Sequence, residues 1–412
     1  MKYRLLGVIS LLAALSVISC SGPSSAAPGK LGRISPEKAG MNPEKLVRVD
    51  SVINKAIGEH LIPGAVLSVV RGDKIVYLKA YGNKSVVPDT VAMTPDVLFD
   101  MASVSKCVGT TLSFMQLIEN GQVRLTDNVK MYIPDFAPWT DPETGEEVDI
   151  TVQDLLTHSS GLAAYVNVNR VASLYGEPCP DSTMAYIATQ VKRNFRPKTD
   201  YLYSCLNFVT LQNILQRVTG EKLCDYAQHH VFDKLGLKHT CYRPAETRPD
   251  LMPLVAPTEV QPDGLPLLGE VHDPIARRLN AGNSGNAGVF SNAEDLSVIA
   301  AAIMNGGAIG GRRILGPKTV EMMARVPADN APHIGRALGW DSCNGSYSIR
   351  GDMTDRTRTL DHTGYTGTSV VMDLESKTAI ILLSNRVHPE DKGNLARVRA
   401  TVSNIVAGSI EE

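Results

Sequence analysis

The chain has 412 residues, 43% of them hydrophobic and 5% aromatic, enough for two or three domains' worth of buried core. Its 41 basic and 43 acidic residues leave a formal charge of -2 with no long run of either sign, which argues against a nucleic-acid binder. The hydrophobic fraction excludes a disordered chain, and the seven cysteines are an odd number that calls for an explanation.

At the amino end, Lys2 and Arg4 precede an apolar stretch from Leu5 to Ile18, and Val17-Ile18-Ser19-Cys20 closes it. Residues 1–19 read as an export signal, short of the ~20 residues that span a bilayer as a helix. The small residue before Cys20 resembles a bacterial lipobox, in which the cysteine carries lipid. Residues 20–39 then form a tether, rich in Ser, Gly, Pro and Ala from Ser21 to Lys30. The expected location is outside the cytoplasm, lipid-anchored to the bacterial cell envelope on its periplasmic or surface face. The other six cysteines, Cys107, Cys179, Cys205, Cys224, Cys241 and Cys343, allow many pairings, and a core of this size needs none of them.

Leu46, Val49, Val52, Ile53 and Ile57 recur at helical spacing and predict an amphipathic helix over 43–59. Gly64–Arg71 and Lys74–Tyr81 flank Gly72-Asp73 and read as a hairpin. Helical patterns at Val108–Asn120, Asn207–Thr219 and Ala293–Asn305 then alternate with Pro/Gly/Asp-rich loops. Near the end, two β-rich segments, Thr368–Leu374 and Lys377–Ser384, precede a last helix at about Asn394–Val406. The expectation is an α+β fold. Residues 40–109 and 281–412 form an antiparallel sheet flanked by terminal helices, and 110–280 are an inserted all-helical domain.

Ser103-Val104-Ser105-Lys106 is the SxxK element that draws attention. It follows the strand-like Val97-Leu98-Phe99 and opens a helical pattern, and residues i and i+3 share a helix face, so a hydroxyl nucleophile and an amine base meet there. Unpaired N–H groups at a helix start also favour developing negative charge. A lysine base needs its pKa lowered from the reference of about 10.4. Ser35-Pro36-Glu37-Lys38 repeats the pattern, but Pro36 and its approach to a surface helix make it a poor site.

Five stretches in order supply the context: MTPDVLFDMASVSK (93–106), LLTHSSGL (155–162), RPKTDYLYS (196–204), GNAGVFS (285–291) and HTGYTGTS (362–369). Together they resemble the serine β-lactamase and penicillin-binding family, in its class C β-lactamase, DD-peptidase and esterase branch. The resemblance implies the fold described above, with a site in the cleft between the two parts. It makes Ser103 the acylated nucleophile, Lys106 its proton partner and Tyr203 a second proton-transfer group. His362, Thr363 and Gly364 stand where many members have Lys-Thr-Gly, and the backbone N–H groups of Ser103 and Tyr365 would form the oxyanion hole. No cofactor or metal is implied.

Two departures bear on substrate. The second motif, usually Tyr-x-Asn, is Tyr203-Ser204-Cys205, and a thiol is a weak donor and acceptor where the family's amide contacts the acyl amide. Asn207 is a substitute from two residues on, and Tyr165-Val166-Asn167 and Ser284-Gly285-Asn286 are literal rivals without the Pro-rich approach that precedes Tyr203. The third motif has His362 for Lys, a weaker carboxylate anchor unless Asp361 raises its pKa. The expected activity is therefore an extracytoplasmic serine hydrolase acting on D-amino-acid peptides, esters or, weakly, β-lactams. The alternative is a non-catalytic binder of envelope or peptidoglycan fragments on the same scaffold. The remaining signals are structural. His158 reads as a turn residue behind the site, Trp340 as core or cleft wall, and Cys224, His229 and His230 lack metal-site spacing.

Overall fold

The computed structural model describes residues 29–342, 349–355 and 357–411; the export signal, Cys20 and Cys343 lie outside them. Strand alternation explains how the sheet is covered. In Gly64–Arg71, Ala65, Leu67 and Val69 pack toward the helices Val49–Gly58 and Ala396–Gly408. Val66 and Val70 join the opposite core, and Ser68 Oγ lies 2.9 Å from Ser297 Oγ of the helix Ala293–Met304. A strand buried on both faces reads as a near-continuous apolar run, which is what GAVLSVV is.

In chain order the sheet consists of β1 (Gly32–Arg33), β2 (Gly64–Arg71), β3 (Lys74–Ser85), β4 (Val91–Ala92), β5 (Thr359–Thr363), β6 (Ser369–Asp373) and β7 (Thr378–Leu383). Their spatial order is β1-β3-β2-β7-β6-β5 with β4 on β3, so strands from the two ends of the chain meet at the β2–β7 pair. Only β1 pairs in parallel; the other pairings in this sheet are antiparallel. The β2–β3 turn is the two-residue Gly72-Asp73, with Gly72 at φ +60°. The sheet with its terminal helices is the expected α+β arrangement.

Between the sheet segments run the helices of the middle region. Leu112–Glu119 is buried almost all round, with Leu112, Phe114, Met115 and Leu117 inaccessible, and so serves as a central pillar. It continues from a π-helical turn over Lys106–Thr111, a distortion frequent at functional sites. Cys205–Thr219 is capped by Ser204, whose side chain accepts from the Leu206 N–H. Cys107, Cys179, Cys205, Cys224 and Cys241 are free thiols.

Alternation along β5 sends His362 and Asp361 to opposite faces. Asp361 Oδ2 lies 2.9 Å from Arg350 Nε, and Arg350 Nη2 is 3.7 Å from the partly exposed Asp341; Arg350 and Asp361 are buried. The Arg350–Asp361 contact lacks hydrogen-bond alignment, and burial pushes the Asp361 carboxyl up to about 8 against the pull of Arg350. Arginine does not deprotonate in proteins, so its charge must be matched where it is buried. Replacing Asp361 by Leu removes the nearer of the two carboxyls that face Arg350 among the described residues, leaving Asp341 at 3.7 Å, and is expected to destabilise the fold, read from urea unfolding midpoints.

Candidate active site

Ser103 stands just after the short strand Phe99–Asp100, at a sharp turn. Ala102 has φ +43°, a costly region for a residue with a side chain, and its N–H is held by Asp100 Oδ1 at 2.8 Å. The same buried carboxylate accepts from the His272 N–H at 2.7 Å, so Asp100 ties the serine turn to the 272 loop. On the sheet side, Thr366 Oγ1 donates to the Asp100 carbonyl and Thr368 Oγ1 to the Met101 carbonyl, at 2.7 and 3.0 Å. Gly364 is required there. A Cβ at that position would lie 2.4 Å from the Met101 oxygen, so any side chain would push the sheet edge off the serine turn.

Lys106 is fully buried, one helical turn beyond Ser103. Its ammonium donates to Ser103 Oγ at 3.0 Å, to the Asn286 carbonyl at 2.8 Å and to Cys205 Sγ at 3.6 Å, which uses all of its N–H groups. Burial alone would lower its pKa, but Cys205 and Tyr203 outweigh burial and the net shift is upward. The resting lysine is thus a charged donor, contrary to the expectation of a depressed pKa. The Tyr203 ring lies under this ammonium at 5.1 Å. Its hydroxyl is buried without a hydrogen bond, and burial raises its pKa while Lys106 pulls the other way. Apo sites often show such loose catalytic contacts that tighten with substrate.

Cys205 occupies the position beside Lys106, at the first residue of its helix; burial pushes its thiol up, against Lys106. Asn207 does not take over the missing amide. It is fully buried, with Oδ1 accepting from Ser160 Oγ at 2.6 Å and Nδ2 3.1 Å from His158 Nδ1, because two positions along the helix from Cys205 turn its side chain into the core. Of the two rival motifs, Asn167 caps a surface helix, whereas Asn286 belongs to the site through its carbonyl on Lys106.

His362 is buried, its Nδ1 bonded to the Thr363 carbonyl at 2.8 Å and its Nε2 unpartnered. Burial, then Arg336 and Lys106, hold its pKa well below 6.5, and Asp361 on the opposite face does not reverse this. His158 is also a buried neutral imidazole. Its Nδ1 accepts from the Ser204 N–H at 3.1 Å and so positions the Tyr203 segment, the supporting role expected for it. Thr363, Gly364 and Tyr365 border a cavity of about 290 Å³ together with Arg386 and Arg399. Those arginines bond the Tyr365 and Thr368 carbonyls at 2.7 and 2.9 Å and fix the turn. Among the described residues, neither the Ser103 nor the Tyr365 backbone N–H has an intramolecular acceptor, so both are free to bind an oxyanion.

Two charged residues of the cleft carry no motif and escape a reading of the sequence. Arg336, 2% exposed, packs its guanidinium 5.8 Å from the Tyr203 ring and 5.9 Å from the Tyr201 ring. Its Nη1 reaches Asp341 at 3.4 Å, while Nε and Nη2 have no hydrogen-bond partner among the described residues. Asp273 bonds Asn286 Nδ2 at 3.0 Å and Tyr165 Oη at 3.0 Å.

The two neutral imidazoles make stability depend on pH. Folded, His158 and His362 bind protons less well than unfolded, so the unfolded chain takes up more protons just below the ordinary value of 6.5. The contribution of these rings is therefore full above that pH and falls as pH drops, by up to about 1.4 kcal/mol per unit for each ring. Burial raises the Asp361 carboxyl to about 8 and Asp154 to about 6, which acts in the opposite sense over the same range. The ring contribution is therefore read as a difference: in urea unfolding, the stability cost of His362→Gln relative to wild type should be smaller at pH 5.5 than at pH 7.5.

The β-lactamase family profile matches residues 49–403. A protein of Escherichia coli K12 described as "Putative D-alanyl-D-alanine carboxypeptidase" is 30% identical over 404 residues, covering 92% of this chain and 90% of that one. Among solved structures, EstCE1, a hydrolase with promiscuous acyltransferase activity, superposes with a TM-score of 0.70 at 23% identity, covering 89% of this chain and 99% of that one. Simvastatin synthase (LovD) from Aspergillus terreus superposes with a TM-score of 0.68 at 18% identity, covering 90% and 100%. The chain belongs to the β-lactamase family and is a serine hydrolase.

Proposed function

We propose that the protein hydrolyses D-amino-acid peptides and esters through an acyl-enzyme on Ser103, with carboxypeptidase activity on peptides that end in a free carboxylate. The observation that carries this reading is the 3.0 Å contact between Ser103 Oγ and a buried Lys106 beside Tyr203. Ser103 Oγ attacks the substrate carbonyl while its proton passes to the Lys106–Tyr203 pair, and the N–H groups of Ser103 and Tyr365 take the oxyanion. Collapse breaks the bond to the leaving amine or alcohol, which receives the proton. Water then attacks the ester carbonyl and its proton goes to the same pair; collapse breaks the acyl–Oγ bond, and Ser103 Oγ takes that proton back as the acid leaves.

The carboxylate preference rests on Arg336, whose Nε and Nη2, without a hydrogen-bond partner among the described residues, lie beside Tyr203 and His362. With His362 neutral, Arg336 is the cation suited to a terminal carboxylate. The relatives named as D-alanyl-D-alanine carboxypeptidases support this substrate class, and the exported, lipid-anchored placement is inferred from Leu5–Ile18 and Cys20.

Incubation with a β-lactam or fluorophosphonate followed by intact-protein mass should give one adduct that Ser103→Ala abolishes; an adduct that survives the substitution refutes the assignment. Arg336→Met should raise KM for D-Ala-D-Ala peptides about 10- to 100-fold, and for uncharged esters little. The reactive form has lost one proton from the Lys106–Tyr203 pair, whose members are both shifted upward. For an uncharged ester kcat/KM should therefore rise with pH from 6 to 9, with a slope approaching about one.

A further inference from the structure

Asp273 is half-buried. The residues run as a series of contacts: Asp273 bonds Asn286, the Asn286 carbonyl holds Lys106, Lys106 lies over Tyr203, and Tyr203 faces Arg336. A carboxylate and a guanidinium thus reach the serine–lysine pair through different neighbours, Asn286 and Tyr203. Asp273 Oδ1 accepts from the Ala276 N–H at 2.9 Å and from Asn286 Nδ2 at 3.0 Å. Its Oδ2 accepts from Tyr165 Oη at 3.0 Å. The donors hold the carboxylate in place; its charge acts on Lys106 without a direct contact, and Oδ2 keeps acceptor capacity for one more donor. Tyr165 also accepts from the Ile275 N–H at 3.2 Å and remains 38% exposed, which puts the anchored carboxylate at the rim where substrate enters.

We propose that Asp273 determines specificity by binding an ammonium carried by the acyl part of the substrate. The preferred substrates are then short amino-acid peptides, amides or esters whose amine is free, with the carboxylate of a peptide meeting Arg336. This rests on the Ser103 acyl-enzyme reading and narrows its substrate class. The thiol at Cys205 fits the same view, since an ammonium paired with Asp273 needs no amide acceptor at that position.

The test compares D-alanine p-nitroanilide with N-acetyl-D-alanine p-nitroanilide. Wild-type kcat/KM should favour the free amine at least about tenfold at pH 7, as expected for a charge-assisted contact, and Asp273→Asn should reduce that ratio by a similar factor. A second reading needs no variant: the wild-type ratio should fall as pH passes the substrate's own amine pKa, near 8. A wild type that prefers the acetylated substrate, a ratio unchanged in Asp273→Asn, or a ratio independent of pH overturns the proposal. Ser103-dependent turnover of both substrates without preference would overturn it while leaving the acyl-enzyme reading intact. Turnover that survives Ser103→Ala, or none with either substrate, overturns both.

Discussion

The site depends on one buried ammonium. Taking a lysine charge out of water costs several kcal/mol unless each N–H finds an acceptor. At Lys106 the acceptors come from three separate places: Ser103 on the turn after the short strand, the Asn286 carbonyl on the loop before Val289–Ser291, and Cys205 at the start of a helix. The middle helices, the connecting loop and the serine turn must therefore converge for the fold to tolerate this lysine. The strain at Ala102 and the close approach at Gly364 are local consequences of bringing the sheet edge to the same point.

With Lys106 charged, the rest of the cleft is arranged around it. Tyr203 presents its ring to the ammonium, and the two imidazoles nearby stay neutral because burial, Arg336 and Lys106 all oppose their protonation. Those neutral rings support their neighbours: His158 Nδ1 accepts the Ser204 N–H, and His362 Nδ1 bonds the Thr363 carbonyl. The mobile charge of the site is then one proton shared among Ser103, Lys106 and Tyr203, with Arg336 and Asp273 fixed nearby.

Much of the fold was legible in the sequence because its signals are local. The alternation and near-continuous apolar runs of Gly64–Arg71 and Thr378–Leu383, the turn at Gly72-Asp73 and the helical spacing around Ile53 each depend on a few neighbouring residues. The pair Ser103 and Lys106 was legible for the same reason, since helical spacing alone places i and i+3 on one face. Asn207 shows where that reasoning stops. Two positions from Cys205 looks close along the chain, but on a helix it turns the side chain through roughly 200° and into the core, where Ser160 and His158 bind it.

The sequence by itself determined which elements form, which serine and lysine are paired, and the family to which those motifs belong. Only the tertiary structure decided the charges of the cleft. Arg336 and Asp273 sit in stretches without a recognised role, and Asn286, although inside the GNAGVFS stretch, acts through its backbone carbonyl, which no side-chain pattern shows. All three reach the site from segments distant in sequence, and the protonation of Lys106, His158 and His362 follows from which groups lie beside them after burial. Covalent spacing governs contacts within a helix turn or a hairpin. Desolvation and Coulomb interactions depend on distances through space, which exist only once the chain has folded.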